Sequence, residues 1–289
     1  MDEFEYLRPT NLDETLSYLK DYAGKSKLLA GGTDLVLLLQ QGLLHPSHII
    51  DISRVPELNY IRQEDGHLKI GAATKMRDIE LSDLVRSKAP LLAEASQLVG
   101  EIGVRNIATI GGNLANASPA ADSAPPLLVL DASLKVRNSN SERTIRLTDF
   151  FLHVKKTVLS PDELVTEVDV PIPPSHSGGA FFRLAKRGGN IISIVSAGAF
   201  LALKGKVCSV ARIAMGSVAP TPIRIKSAEK TLEGAEPTPE KIRAAAQKAF
   251  DEIKPITDIR ASAEYRRDTS RVYVRKAIEE ALVRANSWS

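Results

Sequence analysis

Apolar residues recur along this chain with helical and strand periods in turn, and each switch of period marks an element. Leu12, Leu16 and Leu19 share one helical face; Asn11 with Glu14 three residues on signals its start, and Gly24 its end. Residues 27–30 are a short apolar strand running into Gly31-Gly32-Thr33-Asp34, after which Leu35, Leu38 and Leu39 return at helical spacing. Residues 48–52 read as another strand, so the first 55 residues predict an α/β unit. Asp65-Gly66 between residues 60–64 and 67–70 predicts a two-residue hairpin, because both residue types tolerate positive φ. A helix is expected over 90–99, and a β run over 107–110 leads into a second glycine turn, Gly111-Gly112-Asn113.

Residues 134–137 and 144–147 read as strands joined by the polar loop 138–143, and the strand 164–170 is closed by Pro171-Ile172-Pro173-Pro174. That proline cluster, followed by residues 175–179, is the clearest boundary in the chain. Beyond it, apolar runs at 194–203 and 207–215 flank Lys204-Gly205 as a long hairpin. Thr238-Pro239-Glu240 opens a helix with cap, proline and acidic residue in their favoured places. A last helix from Ala263 carries Val274, Ile278, Ala281, Leu282 and Ala285 on one face. The last third therefore predicts a sheet with helices on one side. The divisions expected are 1–55, 56–174 and 175–289.

Composition narrows the function classes. A net charge of +3 over 289 residues, with both signs interspersed, advertises neither a nucleic-acid nor an anionic-membrane surface. One cysteine, Cys208, can neither close an internal disulfide nor ligate an iron–sulfur cluster, and reads as an apolar filler. His45 and His48 are separated by Pro46, which breaks the helix that would align them, so no metal site is expected. The acidic opening Met1-Asp2-Glu3-Phe4-Glu5 lacks the pattern of a secretory leader, and no apolar run reaches the ~18 residues of a membrane span. A cytoplasmic protein is expected.

The chemistry concentrates in the two glycine pairs. Each follows an apolar run, and glycines there let a phosphate approach backbone N–H donors. A helix follows the first pair directly, and its dipole favours an anion. Either loop alone reads better as a tight turn; together, with Thr33 and Thr109 beside them, they point to a ligand and could clasp a pyrophosphate from two sides. No Gly-Lys-Ser/Thr follows either pair, and neither has the G-x-G-x-x-G spacing. The residues thus support a nucleotide or dinucleotide cofactor outside the P-loop and Rossmann classes, without saying which.

Ala30-Gly31-Gly32-Thr33-Asp34-Leu35 and the stretch from Thr109-Ile110-Gly111-Gly112-Asn113-Leu114 through Ala117-Ser118-Pro119-Ala120-Ala121-Asp122 resemble the two FAD signatures of molybdenum hydroxylase flavoproteins. The likeness continues through Phe182-Arg183-Leu184-Ala185-Lys186-Arg187, Gly216-Ser217-Val218-Ala219-Pro220-Thr221-Pro222 and Arg260-Ala261-Ser262-Ala263-Glu264-Tyr265-Arg266-Arg267, covering nearly the whole chain. The resemblance implies an α+β fold: a two-part FAD-binding domain of the vanillyl-alcohol-oxidase type, then a C-terminal α+β domain. It implies that Leu29-Ala30-Gly31-Gly32-Thr33-Asp34-Leu35-Val36 and Thr109-Ile110-Gly111-Gly112-Asn113 hold the FAD pyrophosphate. Asp122 matches an acidic cofactor contact, Val99 and Val165 match apolar or backbone contacts, and Arg183 or Lys186 matches a cation beside the flavin. Ile191 and Ile192 fall where related chains set a residue against the isoalloxazine.

Departures refine the expectation. Carbon monoxide dehydrogenase flavoproteins tend to carry His-Ser where this chain has Thr33-Asp34, which weakens that substrate assignment. The extra iron–sulfur insertion of the 4-hydroxybenzoyl-CoA reductase flavoprotein is excluded by the single cysteine, and the absence of histidine from both loops implies non-covalent FAD. The resemblance implies molybdopterin and [2Fe–2S] clusters only on a large and a small partner subunit, arranged as a dimer of heterotrimers. FAD would then pass electrons to NAD⁺, oxygen, a quinone or another acceptor. The alternatives are a self-contained flavin dehydrogenase or oxidase, and a non-catalytic nucleotide-binding assembly module.

Overall fold

The computed structural model of the chain describes residues 3–186 and 192–287. Its first sheet is parallel, in the order β1 (Glu5–Leu7), β3 (His48–Asp51), β2 (Ser26–Leu29). α1 (Leu12–Asp21) links β1 to β2, and α2 (Leu35–Gln40) links β2 to β3. Asn11 Oδ1 accepts from the Glu14 N–H at 2.9 Å, while the Glu14 carboxylate reaches back to the Thr10 N–H at 2.7 Å. That box starts α1 where the sequence predicts and directs Leu12, Leu16 and Leu19 into a small core with Ile50, Ile52 and Leu58.

The second sheet is antiparallel and starts at the predicted hairpin, β4 (Ile61–Glu64) and β5 (His67–Gly71), turned by Asp65 at φ 51° and Gly66 at φ 77°. Six short helices follow: α3 (Met76–Leu81), α4 (Asp83–Lys88), α5 (Pro90–Gln97), α6 (Ile102–Arg105), α7 (Ile110–Ala115) and α8 (Ala124–Val129). The sheet resumes with β6 (Ser133–Arg137) and β7 (Glu142–Arg146). A separate ribbon, β8 (Phe151–His153) with β9 (Lys156–Thr157), precedes the central strand β10 (Leu164–Pro171), which joins β5 to β6. A bulge between Val165 and Glu167 leaves Thr166 as the extra residue, and its carbonyl accepts from the Ala72 N–H at 3.0 Å.

The third sheet, β11 (Ser177–Leu184), β12 (Val195–Lys204), β13 (Val207–Gly216) and β14 (Ile223–Arg224), is antiparallel in that order. Three helices follow: α9 (Lys226–Leu232), α10 (Pro239–Glu252) and α11 (Ala263–Asn286), with α11 lying on β11 and β12. These three helices cover one side of the sheet, as the sequence predicts, and share one core with Ala197, Ala199 and Leu201. The opposite face is covered by α8 of the preceding region, which packs against β12 and β13, so that Phe200 and Ala202 belong to the core of the second sheet while Ala197, Ala199 and Leu201 belong to the α11 core. β12 is therefore buried on both faces, in keeping with a run over residues 194–203 that Ser196 alone interrupts with a polar side chain. Cys208, on β13, is fully buried in the α11 core, and burial pushes its thiol up to about 11.

Arg266, buried in the first turn of α11, ties this part together by donating to the Ile194 and Ser217 carbonyls and to Asp258 Oδ1. Burial works against ionisation of Asp258, but the Arg260 N–H, the Arg266 and Arg260 guanidinium groups and the Ala261 N–H outweigh it and hold the carboxyl well below its usual range. Because folding depresses its pKa, Asp258 contributes stability above the ordinary aspartate value of about 3.9, and that contribution is lost as pH falls further. Asp258→Asn is expected to destabilise the neutral protein by about 1–3 kcal/mol. Urea denaturation should show the gap to the parent narrowing below about pH 4. A gap that stays constant on acidification would assign the effect to packing.

Candidate cofactor site

The first glycine loop leaves β2 at Leu29 and turns through Gly32, whose φ of +72° suits glycine. Gly31 is held to glycine by close approach: a Cβ there would lie 2.0 Å from the Ile107 carbonyl oxygen. The two predicted loops are therefore in backbone contact, although 76 positions apart by the difference between 31 and 107.

The second segment corrects the sequence reading. Residues 107–110 form no strand; one bridge, Lys75 to Thr109, joins them to the end of the β5 region. Gly111 and Gly112 lie inside α7, which Thr109 caps by accepting from the Gly112 N–H at 3.2 Å. The β-like character has a cause, since Met76 N donates to Ala108 O, Ile110 N to Thr74 O and Gly111 N to Ala72 O, at 2.9, 3.0 and 2.8 Å. Gly111 is needed because a Cβ would meet Ala72 Cβ at 2.6 Å.

This difference divides the work of the loops. Among the described residues, no hydrogen bond takes up the backbone N–H groups from Gly31 to Leu35, so five consecutive donors remain. Those of Ile110, Gly111, Gly112 and Asn113 are all engaged within the protein. The first loop can solvate an anion through its backbone. The second offers side chains: the Thr109 hydroxyl still has its proton to donate, and Asn113, whose Oδ1 accepts from Ser123 Oγ at 2.6 Å, keeps its NH₂.

Both segments line one cavity of about 460 Å³. Leu38, Leu44, Ile52, Leu159, Leu164 and Val165 form its apolar wall. At the exposed rim, Asn116 Nδ2 donates to Asp34 Oδ1 at 2.7 Å and Lys155 Nζ donates to Asn116 Oδ1 at 2.7 Å. Glu163 also lines the cavity, but Arg143 grips it through two bonds of 2.7 and 2.8 Å and keeps its carboxyl low.

The other expected site residues fall elsewhere. Leu29 and Val36 flank Gly32, within 3.0 and 3.1 Å of where its Cβ would be. Val99 is 8% exposed and belongs to the core. Asp122 lies beside Ser123, the partner of Asn113, and both its oxygens are engaged: Arg183 donates to Oδ2 at 2.7 Å and Ser193 to Oδ1 at 2.6 Å. Burial raises its carboxyl, against the pull of Ser193 and Arg183. Lys186 instead donates to the Ile259 carbonyl at 3.0 Å on the surface. Ile192 is exposed, and Ile191 lies outside the described residues. Sequence reasoning missed Ser193 and Lys155, which no local pattern marks. Among the described residues, no group of His, Cys, Asp or Glu could hold a metal ion, and no helix is long and apolar enough to cross a membrane.

The comparisons with known proteins identify the family. Residues 2–173 match the family model of the FAD binding domain in molybdopterin dehydrogenase, and residues 180–281 that of the CO dehydrogenase flavoprotein C-terminal domain. The glyceraldehyde dehydrogenase medium chain of Sulfolobus acidocaldarius is 33% identical over 96% of this chain and 98% of its own. The nicotinate dehydrogenase FAD-subunit of Eubacterium barkeri is 33% identical over 98% and 97%. Carbon monoxide dehydrogenase from Hydrogenophaga pseudoflava, solved in a form lacking the molybdopyranopterin moiety of its cofactor, contains a chain that superimposes with a TM-score of 0.95 at 34% identity, covering 98% of each.

Fold and cavity together define a two-domain FAD-binding protein of mixed helix and sheet. More particularly, the chain belongs to the molybdenum hydroxylase flavoproteins, as an FAD-dependent oxidoreductase subunit of the xanthine dehydrogenase type.

Proposed function

We propose that this chain relays electrons through non-covalently held FAD, receiving them from a molybdenum site by way of [2Fe–2S] clusters on partner subunits. The observation that carries the reading is the single cavity in which five unengaged N–H groups meet an apolar wall. These residues fit a dinucleotide, which needs anion donors at its centre and apolar surface for its rings. When bound, FAD supplies the redox chemistry, taking up electrons and handing them to NAD⁺, oxygen, a quinone or another acceptor.

The chain's own residues hold and orient. Gly31 to Leu35 donate to the diphosphate, Thr109 and Asn113 add side-chain donors, and Val165 belongs to the apolar wall. Asn113, Ser123 and Asp122 lead from the cavity toward the third sheet, where Arg183 fixes a cation and Asp122 keeps lone pairs for further donors. Lys186 is engaged instead by the Ile259 carbonyl. The partners are a molybdopterin-binding large subunit and an iron–sulfur small subunit, assembled as a dimer of heterotrimers in the cytoplasm, consistent with relatives named as medium chains and FAD-subunits.

Anaerobic stopped-flow recording of flavin absorbance tests the relay. The purified chain should bind FAD that acid releases, yet stay oxidised with purines, aldehydes and N-heterocycles. Adding both partner subunits should restore rapid reduction. Rapid substrate-driven bleaching of the lone chain would establish a self-contained dehydrogenase instead.

A further inference from the structure

Lys155 stands out on two independent grounds. Its backbone is left-handed, with φ at +58°, a conformation in which lysine has no local side-chain bond to offset the strain and which glycine adopts freely. Its side chain lies on the cavity rim beside the first glycine loop. The strained turn is seated firmly: the Lys155 N–H donates to the Ala117 carbonyl at 2.9 Å, just past the end of α7. Backbone strain kept in place by its surroundings is a pointer to function when the side chain it aims reaches a site.

The rim's charges give that side chain a task. The charged residues lining the cavity are Lys27, Asp34, Lys155 and Glu163, and Glu163 is already paired with Arg143. Asp34 lies within the stretch of unengaged N–H groups, so its carboxylate would repel the anion those groups are built to receive. Lys155 Nζ lies 3.8 Å from Asp34 Oδ1 and is bonded to it through Asn116, whose amide is used at both ends. An ammonium has three N–H donors, and Asn116 takes one.

We propose that Lys155 is a further cofactor-anchoring residue, which cancels the charge of Asp34 at the cavity rim and presents its remaining donors to the diphosphate. This rests on the cofactor reading above. Without Lys155 the Asp34 carboxylate loses the cation that faces it at 3.8 Å, and the diphosphate meets its uncancelled repulsion at the edge of the donor array. At a partly screened rim the change corresponds to roughly a tenfold loss of affinity.

Titration of the full-length, deflavinated chain with FAD, followed by quenching of flavin fluorescence at low and high salt, tests the inference. Lys155→Met is expected to weaken FAD binding roughly tenfold and to flatten its salt dependence. Lys155→Gly, which relieves the backbone, should weaken it equally while melting within about 3 °C of the parent. Asp34→Asn added to Lys155→Met should recover most of the loss, because the charge to be cancelled is gone. Unchanged affinity in both Lys155 variants, or a loss that Asp34→Asn leaves untouched, overturns the anchoring role. A parent chain with no FAD affinity overturns the cofactor reading itself, and the two failures are distinct.

Discussion

Gly31→Ala is expected to abolish flavin retention, lowering FAD affinity by at least ~100-fold, or about 2.7 kcal/mol. The added methyl would sit 2.0 Å from the Ile107 carbonyl oxygen and 2.9 Å from Ala108 Cα, against an ordinary non-bonded separation of roughly 3.5 Å. Those obstructing atoms are backbone, fixed by the Ile110, Gly111 and Met76 hydrogen bonds, so no side chain can swing aside. The two loops must part, which moves the donors of the first away from Thr109 and Asn113. Overpacking of this kind costs typically 1–3 kcal/mol of stability, a drop of a few degrees in a chain of this size. Two other glycines calibrate the effect. Gly32→Ala introduces left-handed strain of about 1–2 kcal/mol with contacts of 3.0 and 3.1 Å to movable side chains, and should weaken FAD less. Gly42→Ala has similar strain, at φ +65°, but meets nothing within 4 Å and lies away from the cavity, so it should keep its flavin. The ratio of flavin to protein absorbance after gel filtration ranks the three; full flavin in the Gly31 variant would separate the cavity from the cofactor.

Arg183→Met is expected to be the most destabilising single change at the junction with the third sheet, by about 3–5 kcal/mol. Arg183 and Asp122 side chains are 8% and 7% exposed, so removing the cation strands a carboxylate out of water with Ser193 as its remaining partner among the described residues. Melting should fall by on the order of 10 °C. Asp122→Leu together with Arg183→Met should recover much of this, since an apolar pair leaves no buried charge. Acid should help the single variant. Burial already raises the Asp122 carboxyl, and a carboxyl whose folded pKa is raised stabilises most when protonated, losing that contribution as pH climbs through its titration. The deficit of Arg183→Met should therefore shrink from neutral pH toward about pH 5, the reverse of the Asp258→Asn trend. Calorimetry across that range decides it, and a deficit that grows on acidification would mean the pair is not what holds this junction.

What the sequence made legible follows from the range of the forces involved. α1, α10 and the Asp65-Gly66 hairpin start and stop on caps and turns written within a few residues, such as Thr238 accepting from the Lys241 N–H at 3.4 Å. The two-part flavin fold was legible through whole motifs. Helices α3 to α8 span only 4–8 residues each, too few turns for a period to emerge, and α5 alone was anticipated. α7 was misread because Ile107, Thr109 and Ile110 favour strands and paired glycines disfavour helices, whereas the cap of Thr109 and the close fit on Ala72 decide the outcome. Asp122 was singled out, but its partners Arg183 and Ser193 lie 61 and 71 positions away, and nothing local announces such a pairing.

The double burial of β12 has a consequence for how the molecule is put together. Two separately recognisable modules of sequence meet in one core, where Phe181, Phe200, Ala202 and Ala214 of the third sheet pack with Leu127, Leu128 and Leu92 of the flavin side. A chain severed near the proline cluster would leave each fragment with an uncovered apolar face, sticky and ill-defined. The seam along which the sequence divides is thus a weld in the folded protein: the shared interior couples the stability of one module to the other, and an exchange of either between relatives must carry its half of that interior with it.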